Sequence, residues 1–313
     1  MNIYITGHKS PDLDSIASPI LYAEFLEKTN KYPKAKIIPA RSGEINKETE
    51  FVLKRFEVET PLSLDTTEIA KEDKFILVDH NEESQRHEKV DPEKVLELVD
   101  HHKVNLNFAF PLQITILPVG ATASIIYSLF KREGIEPSKV AKNLILSAIL
   151  SDTMGLKSST TTGLDSEFAH EIGDKLHTDI DKLTFEIFKA KSDITGLSLE
   201  EIAKKDFKVF KFGEKEVYIN QIETVEPDKI LDKKDELIGV LENAKSEEGA
   251  GIGYIVITDI LNVNSQVLYT NEEEQRILEE AFMTQGNQGV ADIGPRMSRK
   301  KDIAPQIEKV LTK

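Results

Sequence analysis

The sequence predicts an α/β protein with two domains: an N-terminal, mostly parallel sheet covered by helices, followed by a smaller C-terminal α/β domain. Two observations lead to this prediction. Short runs rich in Ile, Val and Leu alternate with longer segments of helical period, which is typical of a parallel sheet with helical crossovers. A polar connector then interrupts the pattern, and 313 residues with 39% hydrophobic residues are enough for two cores.

The N-terminal domain should begin with a strand and then alternate strands with helices. Its strands are predicted at 3–6, 35–39, 74–79, 95–100 and 112–118. Its helices are predicted at 16–29, 47–57, 120–132, 137–150, 164–177 and 181–190. In sheets of this kind ligands bind beyond the carboxyl ends of the strands, because the loops of neighbouring strands converge there.

A polar run after residue 190 marks the domain boundary. Ser198 followed by Glu201 has the spacing of a capping box, so a new helix is expected to start there. We therefore place the first domain at 1–190, a linker or hinge at 191–197 and the second domain at 198–313. The second domain should contain strands at 207–212, 216–222, 253–261 and 265–270, with helices at about 226–246 and 271–283.

Composition excludes several classes of function. The chain has 40 basic and 55 acidic residues and a net charge of −15, which argues against nucleic acid as a partner. It contains no cysteine, so disulfides, thiolate metal sites and cysteine nucleophiles are excluded together. No apolar run approaches the roughly 20 residues that span a bilayer, and no signal region precedes the first strand. We expect a soluble, cytoplasmic protein that does not interact with membranes.

Four motifs place aspartate and histidine at the ends of the predicted hydrophobic segments. The first three follow strands directly, and the fourth follows the helical segment that ends near Leu150. They are Gly7–Ser15 (Gly-His-Lys-Ser-Pro-Asp-Leu-Asp-Ser), Asp79–Asn81 (Asp-His-Asn), Asp100–His102 (Asp-His-His) and Ser151–Thr153 (Ser-Asp-Thr). All four can face one crevice, and together they predict a hydrolytic site with two metal ions held by imidazole and carboxylate.

Each motif taken alone also has a structural explanation. Asp and Ser often cap helices, so the first motif can be a helix start capped by its Asp and Ser residues, with Asp14 and Ser15 as further candidate caps. An Asp-His pair at the end of a strand is common in loops. However, two aspartates as close as Asp12 and Asp14 repel each other unless a cation lies between them. The run of small residues from Gly120 is interpreted as a helix start, with anion binding as the alternative.

The order of these motifs, together with Ser298-Arg299-Lys300-Lys301 near the C-terminus, resembles the family II inorganic pyrophosphatases of the DHH phosphoesterase superfamily. The resemblance covers essentially the whole chain. It implies a DHH catalytic domain followed by a DHHA2-like domain that clamps the substrate. The implied reaction is hydrolysis of pyrophosphate to two phosphates by a water or hydroxide that bridges two metal ions in the interdomain cleft.

The resemblance also implies roles for individual residues. His8, Asp12 and Asp79 look like the ligands of one metal ion, and Asp14, Asp79, His101 and Asp152 like those of the second, with Asp79 bridging. His102, Lys208, Arg299 and Lys300 look like the substrate contacts, while His80, Asn81 and Asp100 are candidates for orienting the ligands. The family's preference implies two tightly bound Mn²⁺ ions, with Co²⁺ possible and Mg²⁺ arriving with the substrate. One departure is Asp302, where the family usually carries Gln.

Two other functions remain open at this point. The chain could be a short-chain exopolyphosphatase or another phosphodiesterase of the DHH superfamily, although it lacks the Gly-Gly-Gly-His stretch typical of the nucleotide-cleaving relatives. It could also be a metal-binding paralogue without activity, which the full set of matching residues disfavours. The resemblance further implies a homodimer formed through the sheet edge of the first domain.

Overall fold

The chain divides into two compact units, Met1–Ala190 and Lys191–Lys313, in a computed structural model that describes all residues from 1 to 313. Each unit contains one six-stranded sheet. The sheets differ in strand direction, and each is buried by its own set of helices. The α/β class and the parallel sheet of the N-terminal part are therefore confirmed.

The sheet of the first unit is parallel throughout. Its strands β1 to β6 lie at Asn2–Thr6, Lys36–Arg41, Leu62–Ser63, Lys74–Val78, Val95–Asp100 and Gln113–Ile116. Their order across the sheet is β3-β2-β1-β4-β5-β6, and every neighbouring pair is parallel. The carboxyl ends of β1, β4 and β5, which carry the first three motifs, are thus adjacent at one edge of the sheet.

Six helices accompany this sheet. They are α1 to α6, at Leu13–Thr29, Lys47–Arg55, Thr122–Arg132, Lys139–Asp152, Gly163–Leu176 and Ile180–Lys191. Successive residues of a strand point to opposite faces, and Ile3, Tyr4 and Ile5 are all buried, so both faces of β1 are covered. Helix α1 packs on β1, β2 and β4 and also on α3 and α4. Its N-terminus follows the loop after β1, at the edge of the sheet that carries the motifs.

The second unit has a mixed sheet. Its strands β7 to β12 lie at Phe207–Phe212, Lys215–Thr224, Ile252–Asp259, Asn264–Leu268, Gly286–Asn287 and Val290–Gly294. The order is β11-β12-β10-β9-β8-β7, in which β8 and β9 are parallel and the other pairs antiparallel. The connection between β8 and β9 carries two helices, as a parallel crossover requires.

Five helices complete the second unit. They are α7 to α11, at Leu199–Lys204, Pro227–Leu231, Lys234–Glu247, Glu272–Phe282 and Ala304–Leu311. One apolar core packs α10 and α11 on the face of the sheet that carries Val217 and Ile219, and a second packs α7 and α9 on the face that carries Tyr218. No helix of either unit is both long and apolar enough to cross a membrane.

Several predicted boundaries in the second unit are wrong. The helix expected at 226–246 is two helices, α8 and α9, and neither has a side-chain cap that would mark the break in the sequence. Strands β11 and β12 and helix α11 were not predicted at all. Both strands are short, and three glycines lie in or between them, Gly286, Gly289 and Gly294. Few β-branched residues remain that would indicate a strand. By contrast, the capping box of Ser198 and Glu201 is present at the start of α7.

Candidate metal centre

The loop between β1 and α1 positions the first two candidate ligands. Asp12 caps α1 by accepting a hydrogen bond from the Ser15 N–H at 3.0 Å, and the Ser15 hydroxyl oxygen accepts one from the His8 N–H at 2.8 Å. Only glycine fits at position 7, because a Cβ there would lie 2.1 Å from the Ser15 Oγ. The capping explanation therefore holds for Asp12, and the same cap brings its carboxylate to the site.

His8 is oriented by its own backbone. Its Nδ1 donates to the Lys9 carbonyl at 2.7 Å, so the Nε2 nitrogen faces the carboxylates of Asp12 at 3.6 Å and Asp79 at 3.5 Å. Burial by itself lowers the pKa of His8, but Asp12, Asp79 and the Lys9 carbonyl outweigh it and raise the pKa to about 10. The negative field of these carboxylates thus favours a cation at the His8 nitrogen.

Asp79 occupies the centre of the cluster. It directly follows β4, is 1% exposed and adopts a left-handed backbone conformation with φ of 61°, which costs a non-glycine residue roughly 1–2 kcal/mol. One carboxylate oxygen, Oδ2, faces His8. The other, Oδ1, accepts a hydrogen bond from the Thr122 hydroxyl at 3.0 Å and lies 3.4 Å from the His101 Nε2. A single carboxylate therefore connects the two groups of candidate ligands.

His101 and Asp14 are held by the segment that connects β6 to α3. His101 donates from Nδ1 to the Val119 carbonyl at 3.0 Å, and its Nε2 faces Asp79. Asp14 is fully buried and accepts hydrogen bonds from the N–H groups of Thr122 and Ala123, at the start of α3. Burial, followed by the neighbouring Asp79, raises the pKa of Asp14 well above its usual range.

Asp152 is the last residue of α4 and completes the set of six candidate ligands. Its Oδ2 lies 3.9 Å from the His101 Nε2. Ligand atoms within 4.8 Å of one another form three overlapping groups at the predicted site: His8 with Asp12 and Asp79, Asp14 with His101 and Asp152, and Asp79 with His101 and His102. The structure therefore brings all six predicted metal ligands together.

His102 lies beside these ligands, with its Nδ1 3.8 Å from the Asp79 Oδ1, and is bonded to Asp100. Its Nδ1 donates to the Asp100 Oδ1 at 2.9 Å, which leaves Nε2 available, and the side chain is 45% exposed. Asn81 donates to the other oxygen of Asp100 and to the Lys103 carbonyl. Burial would raise the pKa of Asp100, but the bonds from His102 and Asn81 hold it below its usual value. His80 is buried, donates to the Val78 carbonyl and belongs to none of the ligand groups.

A further group, formed by Asp65, His87 and Glu88, lies outside the predicted site. The Nδ1 of His87 accepts a hydrogen bond from the Lys89 N–H at 3.1 Å, so the proton is on Nε2, which donates to Asp65 at 3.1 Å. Both ring nitrogens are therefore used within the protein. This group is an example of a structural histidine rather than a metal ligand.

The predicted cations of the second unit lie together, but Arg299 is already bonded. Its guanidinium donates to the Asp206 carboxylate at 2.8 Å and to the carbonyls of Asp206 and Ile219. Lys208 and Lys300 are exposed. Local desolvation, with the positive charges of Lys300 and Arg299 nearby, lowers the pKa of Lys208 to about 8. The three cations thus form one basic group, which we call the cation cluster.

The turn that carries Arg299 and Lys300 is held from both sides. Asp302 accepts a hydrogen bond from the Ser298 N–H at 2.8 Å, so the residue that departs from the family pattern stabilises this turn. Gln221, which sequence reasoning missed, accepts from the Arg299 N–H and donates to the Met297 carbonyl. No sequence signal distinguishes it, because the strand Lys215–Thr224 contains several other polar residues.

Comparison with known proteins places the chain in a family. The model "DHH family, N-terminal domain" matches residues 2–151, and the model "DHHA2 domain" matches residues 185–310. A Methanocaldococcus jannaschii protein named "Manganese-dependent inorganic pyrophosphatase" is 38% identical over 315 residues, 98% of each chain. The chain belongs to the manganese-dependent inorganic pyrophosphatase family. A Staphylococcus haemolyticus relative, "Probable manganese-dependent inorganic pyrophosphatase", is 37% identical over 99% of both chains.

Solved structures agree with this family assignment. A Methanococcus jannaschii crystal structure, provisionally named as a family II inorganic pyrophosphatase, has a TM-score of 0.75 and 37% identity and covers 99% of this chain and 100% of its own. An exopolyphosphatase-related protein from Bacteroides fragilis has a TM-score of 0.54 at 16% identity and covers 99% of this chain and 92% of its own. The second likeness shows the fold alone.

The site fits the metal in the family's name. The His101 Nε2 is buried, has no hydrogen-bond partner and faces two carboxylates, as expected for a nitrogen that binds a cation. Imidazole and carboxylate together suit Mn²⁺, and no cysteine is present to favour a softer metal. The sequence predicted these candidate ligands. It did not predict the bond from the Thr122 hydroxyl to Asp79, or the bond from the Gly120 N–H to Asp165, because each joins residues far apart in the chain.

Asp79→Asn should reduce metal binding more than any other single ligand change, because Asp79 faces both ligand groups. We expect the purified variant to retain less Mn²⁺ per chain than Asp12→Asn, measured by elemental analysis after gel filtration. Asp65→Asn, in the group outside the site, is the control and should bind metal like the parent. Two retained ions per chain in Asp79→Asn would show that Asp79 is not shared.

Proposed function

We propose that this chain hydrolyses inorganic pyrophosphate to two phosphate ions with bound manganese. The main support for the proposal is that the Asp79 carboxylate faces two groups of candidate ligands, with His8 near one oxygen and His101 near the other. It occurs in a chain whose relatives, over its full length, are named manganese-dependent inorganic pyrophosphatases. Two adjacent ions at such a site are the usual arrangement for cleaving phosphoric anhydrides with water.

The six clustered side chains would hold two ions. His8, Asp12 and Asp79 would bind one ion, and Asp14, Asp79, His101 and Asp152 would bind the other. When bound, these ions supply Lewis acidity, which lowers the pKa of water toward neutrality and neutralises charge on phosphoryl oxygens. The use of Co²⁺, and of Mg²⁺ that enters with the substrate, stays a prediction.

His102 is proposed to contact the substrate directly. Its bond to Asp100 places one proton on Nδ1, and a second proton on Nε2 lets that nitrogen donate to a phosphoryl oxygen or to the departing phosphate. Asn81 and the backbone N–H groups of His101 and His102 hold the Asp100 carboxylate in place. Because Asp100 stays ionised, it stabilises a protonated His102 when the leaving phosphate develops negative charge.

The cation cluster is proposed to bind the phosphoryl oxygens that the metal ions do not reach. The exposed ammonium groups of Lys208 and Lys300 can form charge-assisted hydrogen bonds to phosphate. Arg299 would contribute its positive charge from its position against Asp206. The candidate ligands belong to the first unit and the cations to the second. A substrate site between the two domains, with 191–197 as the linker, stays a prediction of the family resemblance. The cytoplasmic location also stays a prediction.

We also propose that the chain forms a homodimer through strand β6. This strand is at the end of the parallel sheet, with a neighbour on one side only. Ile114 is 43% exposed on it, and Leu117, Phe110 and Val104 nearby are 38%, 42% and 55% exposed. An exposed apolar edge strand is a template for pairing with another chain. A second copy of the same edge would cover it and extend the sheet.

The substrate is tested by comparing pyrophosphate, tripolyphosphate and a dinucleotide with the Mn²⁺-loaded protein. We expect faster phosphate release from pyrophosphate than from tripolyphosphate. We expect no cleavage of the dinucleotide, because the chain lacks the Gly-Gly-Gly-His stretch of the nucleotide-cleaving relatives. Faster release from tripolyphosphate would favour the exopolyphosphatase alternative. No release from any of the three substrates would support an inactive paralogue.

Lys300→Ala should separate substrate binding from metal binding. Removal of one charge-assisted contact in a closed site typically lowers catalytic efficiency by about 10²–10³-fold, and we expect kcat/KM for pyrophosphate to fall by that amount with unchanged Mn²⁺ affinity. Lys301→Ala removes the adjacent exposed cation and is the matched control, expected to stay close to the parent. A parallel loss of Mn²⁺ affinity in Lys300→Ala would indicate a structural role.

Lys208 should limit activity at alkaline pH. Its pKa of about 8 in the free protein means that the ammonium loses its proton as the pH rises through that value, and the attraction for the substrate is lost with it. We expect kcat/KM to fall above about pH 8 and the fall to shift to higher pH in Lys208→Arg, because guanidinium stays charged. Lys211→Arg, on the same strand, should leave the profile unchanged. An identical alkaline limb in Lys208→Arg and the parent would assign the titration to another group.

The proposed dimer predicts that Ile114→Asp is monomeric. Two aspartates at a shared strand edge would repel each other, and we expect light scattering after gel filtration to show half the mass of the parent. Val140→Asp is the matched control, since Val140 is 42% exposed on α4 and away from the edge. A parent that is monomeric, or a dimeric Ile114→Asp variant, would contradict this interface.

A further inference from the structure

We propose that Asp165 is a positioning residue of the metal centre, acting through the segment Val119–Ser124. Asp165 lies on α5 and belongs to none of the ligand groups. The proposal rests on the metal-ligand assignments of the proposed function, but it makes a separate claim, that the ligands are held in place by a carboxylate that binds no metal. Its support comes from hydrogen bonds on both sides of this segment.

The segment is bonded to three of the six candidate ligands. The Val119 carbonyl accepts from the Nδ1 of His101, and the Thr122 hydroxyl donates to Asp79. The N–H groups of Thr122 and Ala123 donate to Asp14. A shift of this segment would therefore move an imidazole and two carboxylates at once. Groups that orient metal ligands in this way commonly change metal affinity by about 10–100-fold when they are removed.

Asp165 fixes the same segment from the opposite side. It is fully buried, and its Oδ2 accepts a hydrogen bond from the Gly120 N–H at 2.8 Å, while its Oδ1 accepts one from the Ser124 hydroxyl at 2.6 Å. A Cβ at position 120 would lie 2.9 Å from the Asp165 Oδ2 and 2.5 Å from Thr153. The close fit lets the backbone approach the carboxylate and leaves the segment little freedom to move.

A purely local role for Asp165 accounts for only half of its bonds. It forms a capping box with Thr162 at the start of α5, in which the Thr162 N–H and hydroxyl both donate to Oδ2. The bonds to Gly120 and Ser124 instead join residues 45 and 41 positions apart. This division allows the two roles to be separated, because Thr162 participates in the capping box and has no hydrogen bond to Val119–Ser124.

The experiment measures Mn²⁺ affinity in the full chain without substrate, by titration with detection of free Mn²⁺, alongside thermal unfolding of the metal-free protein. Asp165→Ala should weaken Mn²⁺ binding by roughly tenfold or more. Asp165→Asn should restore most of the affinity, because its amide oxygen can accept from Gly120 while its NH₂ donates to the Ser124 hydroxyl. Thr162→Ala is the matched control and should lower the unfolding temperature with Mn²⁺ affinity within twofold of the parent.

Ser124→Ala provides a second test that keeps the capping box intact, and it decides the matter if Asp165→Ala does not fold. We expect Mn²⁺ binding to weaken severalfold with little change in the unfolding temperature. Mn²⁺ affinity within twofold of the parent in Asp165→Ala, or in Ser124→Ala when the former is unfolded, would overturn the proposal. So would equal weakening in Thr162→Ala. Because no substrate is present, failure of the proposed pyrophosphatase activity would leave this result unaffected.

Discussion

The arrangement of the candidate metal site in the first unit depends on several carboxylates that are buried close together. Asp14, Asp79 and Asp100 are each at most 1% exposed, and Asp12 and Asp152 lie beside them. Removal of an ionised carboxylate from water costs several kcal/mol unless hydrogen bonds or cations compensate. In this chain the backbone N–H groups at the start of α3, the Thr122 hydroxyl and two imidazoles provide part of that compensation. Bound divalent cations would provide the rest, so metal binding and the stability of the unit should be coupled.

The parallel sheet explains why these residues can meet. Strands β1, β4 and β5 are neighbours, and each ends where its motif begins. The Asp79 N–H continues the ladder by donating to the Val99 carbonyl, which fixes Asp79 against the strand that carries Asp100. Helix α3 then directs its N-terminal N–H groups at Asp14, so the anion bound by this helix start belongs to the protein itself. The helix-start interpretation of this segment is therefore confirmed.

Sequence patterns predicted the parts of the site that strand ends determine. Periodicity was sufficient to predict that the four motifs face one crevice, because each follows or ends a hydrophobic segment. The choice of His8, Asp12, Asp14, Asp79, His101 and Asp152 within those motifs came from the family resemblance. The residues that were missed depend on tertiary contacts. Thr122 and Asp165 reach partners 43 and 45 positions away. Arg299 was predicted, but its bond to Asp206 across 93 positions was not. No local pattern encodes such distances. The division of the predicted helix at 226–246 was missed for a related reason, since both new helix starts lack a side-chain cap.

The central claim is that one chain holds two ions joined through the Asp79 carboxylate, and electron paramagnetic resonance of the Mn²⁺-loaded protein tests it most directly. Two Mn²⁺ ions that share a bridging carboxylate are magnetically coupled. We therefore expect a coupled-pair spectrum whose intensity saturates at two ions per chain. A spectrum that contained only the six-line signal of isolated Mn²⁺, at any ratio of metal to chain, would contradict the account.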